Sequence, residues 1–147
     1  MIVLPLLDAP INIRKAQERQ EVFDPFRKKW IAYTPEEHVR QALLYHLTSD
    51  LGYPNSLIGV EKKVSAPGLD ARFDIVVFNK SHQPWMLIEC KAPTVPVDES
   101  TLRQLLRYNN TLQCSYWVLC NGITAACADA RKPQALTWLD QLPDYEG

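Results

Sequence analysis

The stretch RFDIVVFNKSHQPWMLIECK, running from Arg72 to Lys91, holds two apolar runs joined by the polar segment Asn79 to Pro84. Both runs are rich in β-branched and large apolar residues, and the polar segment between them carries turn residues, which predicts strands over Arg72 to Phe78 and Trp85 to Lys91. Alternate residues of a strand share a face, so Glu89 and Lys91 project together while Ile88 and Cys90 point the other way. Asp74 interrupts the run Phe73, Ile75, Val76, Val77 in the same manner, and adjacent strands can bring it beside Glu89.

Outward from this pair, Ile58 to Val64 reads as a preceding strand, separated by Pro67-Gly68, and the short connections favour an antiparallel meander. Further upstream, Thr34-Pro35-Glu36-Glu37 reads as an N-cap, a first-turn proline and a capping-box glutamate. Val39, Ala42, Leu43 and Leu47 follow helical spacing, and Gly52 with Pro54 ends the helix after Leu51. Downstream, Asp98 to Gln113 reads as a helix with Leu102, Leu105, Leu106, Tyr108 and Leu112 on its apolar side. Tyr116 to Cys120 reads as a buried strand, and the turn signal Asn121-Gly122 returns the chain as another over Ile123 to Ala128. The expected fold class is α/β with an α-β-β-β-α-β core. Ile11 to Tyr33 lacks long periodicity and reads as a short strand followed by an extended arm. Residues 1–33 are therefore expected to be an N-terminal arm or peripheral elements, and residues 34–147 the main body of a single compact domain.

A chain of 147 residues suits one core, and its 46% hydrophobic and 22% charged content is that of an ordinary globular protein rather than a disordered segment or a coiled coil. No apolar run approaches the roughly 20 residues that span a bilayer, and the opening MIVLPLLDAP has no basic leader region, so a cytoplasmic protein with no membrane partner is expected. Cys90, Cys114, Cys120 and Cys127 form no close pair of the kind structural zinc sites use, which favours reduced, partly buried thiols. The net charge of -1 counts against strong phosphate binding by the whole surface. The basic excess gathers near the N-terminus around Arg14, Lys15, Arg27, Lys28 and Lys29.

Asp74, Glu89 and Lys91 suit phosphodiester hydrolysis. Hard carboxylate oxygens hold Mg²⁺, the backbone carbonyl of Cys90 offers a further ligand where strands splay, and a lysine holds the attacking water and stabilises charge on the phosphate. The bland alternative is a structural ion-pair cluster, since an acidic-x-Lys triplet arises by chance about once in a chain this long. Spacing from Val39 and Leu43 sets Glu36 on the apolar side of the first helix, facing the sheet and able to reach the metal, with Glu37 pointing away. The alternative is that both acids sit on the surface and favour the helix dipole. Gln104 and Tyr108, at i and i+4, stand side by side and suit either a phosphate or a structural role. Arg103 and Arg107 form a similar pair, for the DNA backbone or for solvent.

The string Glu36, Asp74, Glu89-Cys90-Lys91, Gln104-x-x-x-Tyr108 on helix, strand, strand, helix resembles the PD-(D/E)xK nuclease superfamily. Within it the chain looks most like the N-terminal nuclease domain of type I restriction enzyme R subunits. The matching stretches are Thr34-Pro35-Glu36-Glu37 with Val39-Arg40-Gln41, Tyr53-Pro54, Arg72-x-Asp74, Glu89-Cys90-Lys91-Ala92-Pro93, Tyr108-Asn109 and Asn121-Gly122, over roughly residues 27 to 125. Phe73 stands where the superfamily's name has proline. The resemblance implies a restriction-endonuclease-like mixed central sheet flanked by helices. It also implies metal ligation by Glu36, Asp74 and Glu89, catalytic assistance from Lys91, and positioning by Gln104 and Tyr108. The implied activity is that of a Mg²⁺-dependent deoxyribonuclease, an endonuclease of restriction-modification, with Mn²⁺ as a substitute. DNA is the expected partner, with weak intrinsic affinity that calls for a homodimer, a DNA-binding arm, or helicase and specificity subunits. The chain has no GxxxxGK[ST] loop, so ATP-driven translocation is not expected of it. The alternative is an idle nuclease-fold module for nucleic-acid binding or assembly.

Overall fold

The near-continuous apolar runs of the central strands bury both faces of one sheet, and the rest of the chain is arranged to cover them. The computed structural model describes residues 1–147. In chain order the strands are β1 (Ile2–Val3), β2 (Ile13–Ala16), β3 (Arg19–Asp24), β4 (Lys29–Ala32), β5 (Ile58–Ala66), β6 (Leu69–Phe78), β7 (Pro84–Cys90), β8 (Tyr116–Cys120), β9 (Thr124–Asp129) and β10 (Thr137–Trp138). The helices are α1 (Pro35–Tyr45), α2 (Glu99–Leu105) and α3 (Asn109–Leu112).

The main sheet has the order β1-β9-β8-β7-β6-β5, with β10 also on β9, and is mixed as expected: β7 and β8 run parallel and the other pairs antiparallel. The parallel pair follows from the crossover through α2, while β8 and β9 are joined by the predicted tight turn. Gly122 in that turn has φ +85°, and a Cβ there would lie 2.8 Å from the Leu7 side chain, so the position excludes larger residues on two counts. On one face Ile75, Val77, Met86, Ile88, Val118 and Cys120 pack against Val39, Leu43 and Leu47 of the α1 region. On the other, Val76, Leu87, Trp117 and Leu119 pack against Leu102 of α2 and Val97 before it. All four cysteines are free and buried, as their spacing suggested.

Thr34 caps α1, its hydroxyl accepting from the Glu37 N–H at 3.0 Å. A π-helical turn, His46–Asp50, continues α1 toward Gly52. The helix expected over Asp98 to Gln113 begins at its Asp98 cap but is broken by a 3-10 turn, Leu106–Tyr108, before α3. At this break Asn109 turns its Oδ1 to the Cys114 N–H and to Nε1 of the wholly buried Trp117, bonds that dock the segment onto β8.

The arm expected over Ile11 to Tyr33 is instead a folded antiparallel sheet, β2-β3-β4, with Val22 and Asp24 fully buried. Its turns place Gln17 and Lys28 at φ 57° and 55°, in the left-handed region that glycine and asparagine usually fill. Neither turn has the glycine or asparagine pair that marks a tight hairpin, and Asp24-Pro25 alone signals a turn without fixing strand pairing, which is why the meander is not read from the sequence.

Candidate active site

Asp74 and Glu89 meet where β6 and β7 part. The ladder between these strands reaches Ile75 opposite Ile88 and goes no further. Beyond it two carboxylates take over as acceptors: Oδ2 of Asp74 receives the Cys90 N–H at 2.7 Å, and Oε1 of Glu89 receives the Asp74 N–H at 3.3 Å. Phe73 and Val76 both join the α2-side core while Ile75 joins the other, so strict alternation fails at Asp74. Opposite this break Glu61 of β5 has φ 51° and is skipped by the β5–β6 register. The N–H and C=O of an extended residue point to the same side, so the Cys90 carbonyl also faces the gap beside β6.

On the α2 side a cleft of about 170 Å³ is lined by Glu89, Lys91, Gln104, Arg107 and Tyr108. The structure thus brings Glu89, Lys91, Gln104 and Tyr108 to one opening, with Asp74 bonded to Glu89 behind it. Arg107 lines this cleft and is held by a bond from Nε to the Gln104 carbonyl, whereas Arg103 lies over the Trp138 ring. Burial, then the charge of Asp74, pushes the Glu89 carboxyl up to about 7, against the opposing pull of the Asp74 N–H and Lys91. A larger cleft of about 240 Å³ lies between the β2–β4 sheet and α1, lined by residues such as Asn12, Phe23, Gln41 and Thr48, with no charged side chain to do chemistry.

The first-helix acids are reversed from the sequence reading. Glu36 is exposed and joins neither Asp74 nor Glu89, while Glu37 is only 4% exposed. The projection treated α1 as covered on one side by the sheet. In the fold β3 covers a second side, and the turn from β3 into β4 supplies Arg27, whose Nη2 reaches Glu37 at 3.1 Å. Glu37 also accepts from Arg40 and Gln41. Burial raises the Glu37 pKa, but the bonds from Arg40 and Gln41 outweigh it and hold the group below the ordinary carboxylate value. No three Asp, Glu, His or Cys side chains converge in the metal-binding arrangement that Glu36, Asp74 and Glu89 were expected to make.

Two residues that chemistry-minded reading passed over are built into this region. Arg40 reaches Asp74 Oδ1 at 3.1 Å and Glu61 at 3.4 Å while paired with Glu37. Arg27, counted with the basic surface of the arm, is bound to Asp24, Glu37 and Glu61. The available signal for Arg40 was its place three residues after Glu37 on one helix. Arg14, another of those cations, pairs with Glu21 and lies over Trp30.

A mixed sheet whose central strands open around paired carboxylates, with helices on both faces, defines a restriction-endonuclease-like α/β domain. Residues 35–143 match the family described as Type I restriction enzyme R protein N terminus, and the chain belongs to that family. No curated protein matches it. No helix is long and apolar enough to cross a membrane.

Proposed function

We propose that the chain is a metal-dependent DNA endonuclease of the PD-(D/E)xK type with a restriction-modification role. The observation that carries this reading is the meeting of Asp74 and Glu89 at the parted strands, with Lys91, Gln104 and Tyr108 around the adjoining cleft. The donor set fits a hard cation: two carboxylates, with the Cys90 carbonyl on the same side, are oxygen ligands of the kind Mg²⁺ takes. The raised Glu89 pKa points the same way, because crowded buried acids gain most from a cation. In this reading Glu36 is not a ligand, and the helix acid of consequence is Glu37.

A bound Mg²⁺, or Mn²⁺ in its stead, would polarise a phosphoryl oxygen and ease deprotonation of an attached water. Lys91 donates to the attacking water and offsets the charge that grows on the phosphate. The Gln104 amide and the Tyr108 phenol donate to phosphate oxygens and hold the ester in line. Water forms the new P–O bond, the ester P–O bond breaks, and the departing oxygen leaves with a proton.

The test is supercoiled plasmid with Mg²⁺ or Mn²⁺. Wild type should nick it and Lys91→Ala should not; absence of wild-type nicking, or equal nicking by the variant, overturns the reading. A net charge of -1 supports weak DNA affinity and reliance on a dimer or partner subunits. Tight binding by an isolated monomer at physiological salt would contradict that part.

The Arg40 contact with Asp74 favours a second reading, an idle nuclease-fold module, because a guanidinium already neutralises one of the two acids. Calorimetry with Mn²⁺ separates the two: heat that vanishes in Asp74→Asn supports the nuclease, and no heat with or without DNA supports the idle module.

A further inference from the structure

Arg27 and Arg40 occupy a largely buried polar chain that runs from the β2–β4 sheet to Asp74. Asp24, fully buried, receives Arg27 Nε, with backbone N–H groups of Phe26 and Arg27 on its Oδ1 at 2.7 and 3.1 Å. Arg27 passes to Glu37, Glu37 to Arg40, and Arg40 Nη1 to Asp74 Oδ1. Glu61 bridges both guanidiniums, at 3.3 Å from Arg27 and 3.4 Å from Arg40. Arg27 and Arg40 side chains are 17% and 10% exposed, so the chain is shielded from solvent for most of its length. No buried side-chain polar atom lacks a partner, and only Glu61, at 42% exposure, opens the network to solvent. Arg27 lies outside the residues matched to the family, 35–143, so part of this hold comes from the N-terminal sheet.

Asp74 is thereby gripped at both oxygens, by Arg40 at Oδ1 and by the Cys90 N–H at Oδ2. Free rotation of the carboxylate is lost, and the remaining lone pairs have fixed directions. We infer that Arg40, anchored through Glu37 by Arg27, is a positioning residue that orients Asp74 for a divalent cation, and that the β2–β4 sheet is in this way a working part of the site. The inference rests on the nuclease reading above. A planar, bidentate guanidinium is the group suited to the task, because it pairs with Glu37 along one edge and still presents Nη1 to Asp74.

The sign of the effect separates orientation from simple charge. A nearby cation repels a divalent metal, so a merely electrostatic neighbour would give tighter metal binding when its charge is removed. A positioning residue gives weaker binding, by about 10–100-fold for the loss of such a supporting contact. The experiment is calorimetric titration of the full chain with MnCl₂ alone, for wild type, Arg40→Gln, Arg27→Gln and the paired Glu37→Gln/Arg40→Gln, with thermal unfolding followed by circular dichroism. The paired variant removes both opposite charges and so retains a neutral, hydrogen-bonding pair if Arg40→Gln alone does not fold. The expected result is at least tenfold weaker Mn²⁺ binding in folded Arg40→Gln or the paired variant, and a smaller loss in Arg27→Gln. Unchanged or tighter binding in the folded variants overturns the positioning role while leaving the nuclease reading standing. Absence of Mn²⁺ binding by wild type in MnCl₂ alone overturns the positioning role, because an oriented Asp74 should bind the ion unaided; absence with DNA present as well overturns the nuclease reading too.

Discussion

The ring of Phe73 meets that of Tyr108 edge-on, with centroids 6.1 Å apart and planes at 87°. Phe73 also packs edge-on to Trp117, so the residue before Asp74 ties the cleft's phenol to the core. Phe73→Ala should therefore lower stability by about 3–5 kcal/mol in urea unfolding. Tyr108→Phe keeps the ring and should change stability by less than about 0.5 kcal/mol. It should still slow plasmid nicking by about tenfold or more, the loss of one charge-directed hydrogen bond. Equal nicking by Tyr108→Phe and wild type would remove the phenol from the proposed chemistry.

Glu36 and Glu37 are neighbours in sequence with opposite surroundings. Removing Glu37 leaves the Arg40 guanidinium half-unpaired in a buried place, so Glu37→Ala should cost about 3–5 kcal/mol. Glu36→Ala, on the exposed side of the first turn, should cost less than about 1 kcal/mol. Chemical denaturation of the two variants side by side checks the reversal, and similar losses would contradict it.

The pH dependence of Glu89 has a definite sign. Its folded pKa of about 7 lies above the ordinary value of 4.5, so the fold prefers the protonated form. The stabilisation from that preference is complete below pH 4.5 and fades as pH rises through 7. Without divalent metal, Glu89→Gln should be more stable than wild type at pH 8, by on the order of 2 kcal/mol, with the gap closing toward pH 4.5. Melting curves across this range test it, and a pH-independent gap would place the strain elsewhere.

Val22 is fully buried in β3, the strand that packs against α1. Val22→Asp puts an unpaired carboxylate in that contact and should abolish cooperative unfolding of the whole chain. If the variant unfolds with a wild-type midpoint, residues 13–32 are an independent appendage after all.

What sequence determined here was set by contacts a few residues apart or by strict period. Thr34 and its cap, the apolar runs of Arg72 to Phe78 and Trp85 to Cys90, the Asn121-Gly122 turn and the shared face of Glu89 and Lys91 all follow from backbone geometry that each segment carries within itself. Gln104 and Tyr108 were legible as a pair for the same reason, although the 3-10 turn beneath them was not.

The tertiary structure alone decided which helix acid is buried, because that depends on β3 covering a second side of α1, a contact no helical projection contains. It made Arg27, counted among the basic residues of the N-terminus, and Arg40, given no role of its own, partners of Glu37 and Asp74, since a cation's role is fixed by which acids folding delivers to it. It also opened the β6–β7 ladder at Asp74, a break that exists only between strands and that seats two carboxylates where backbone acceptors would otherwise lie.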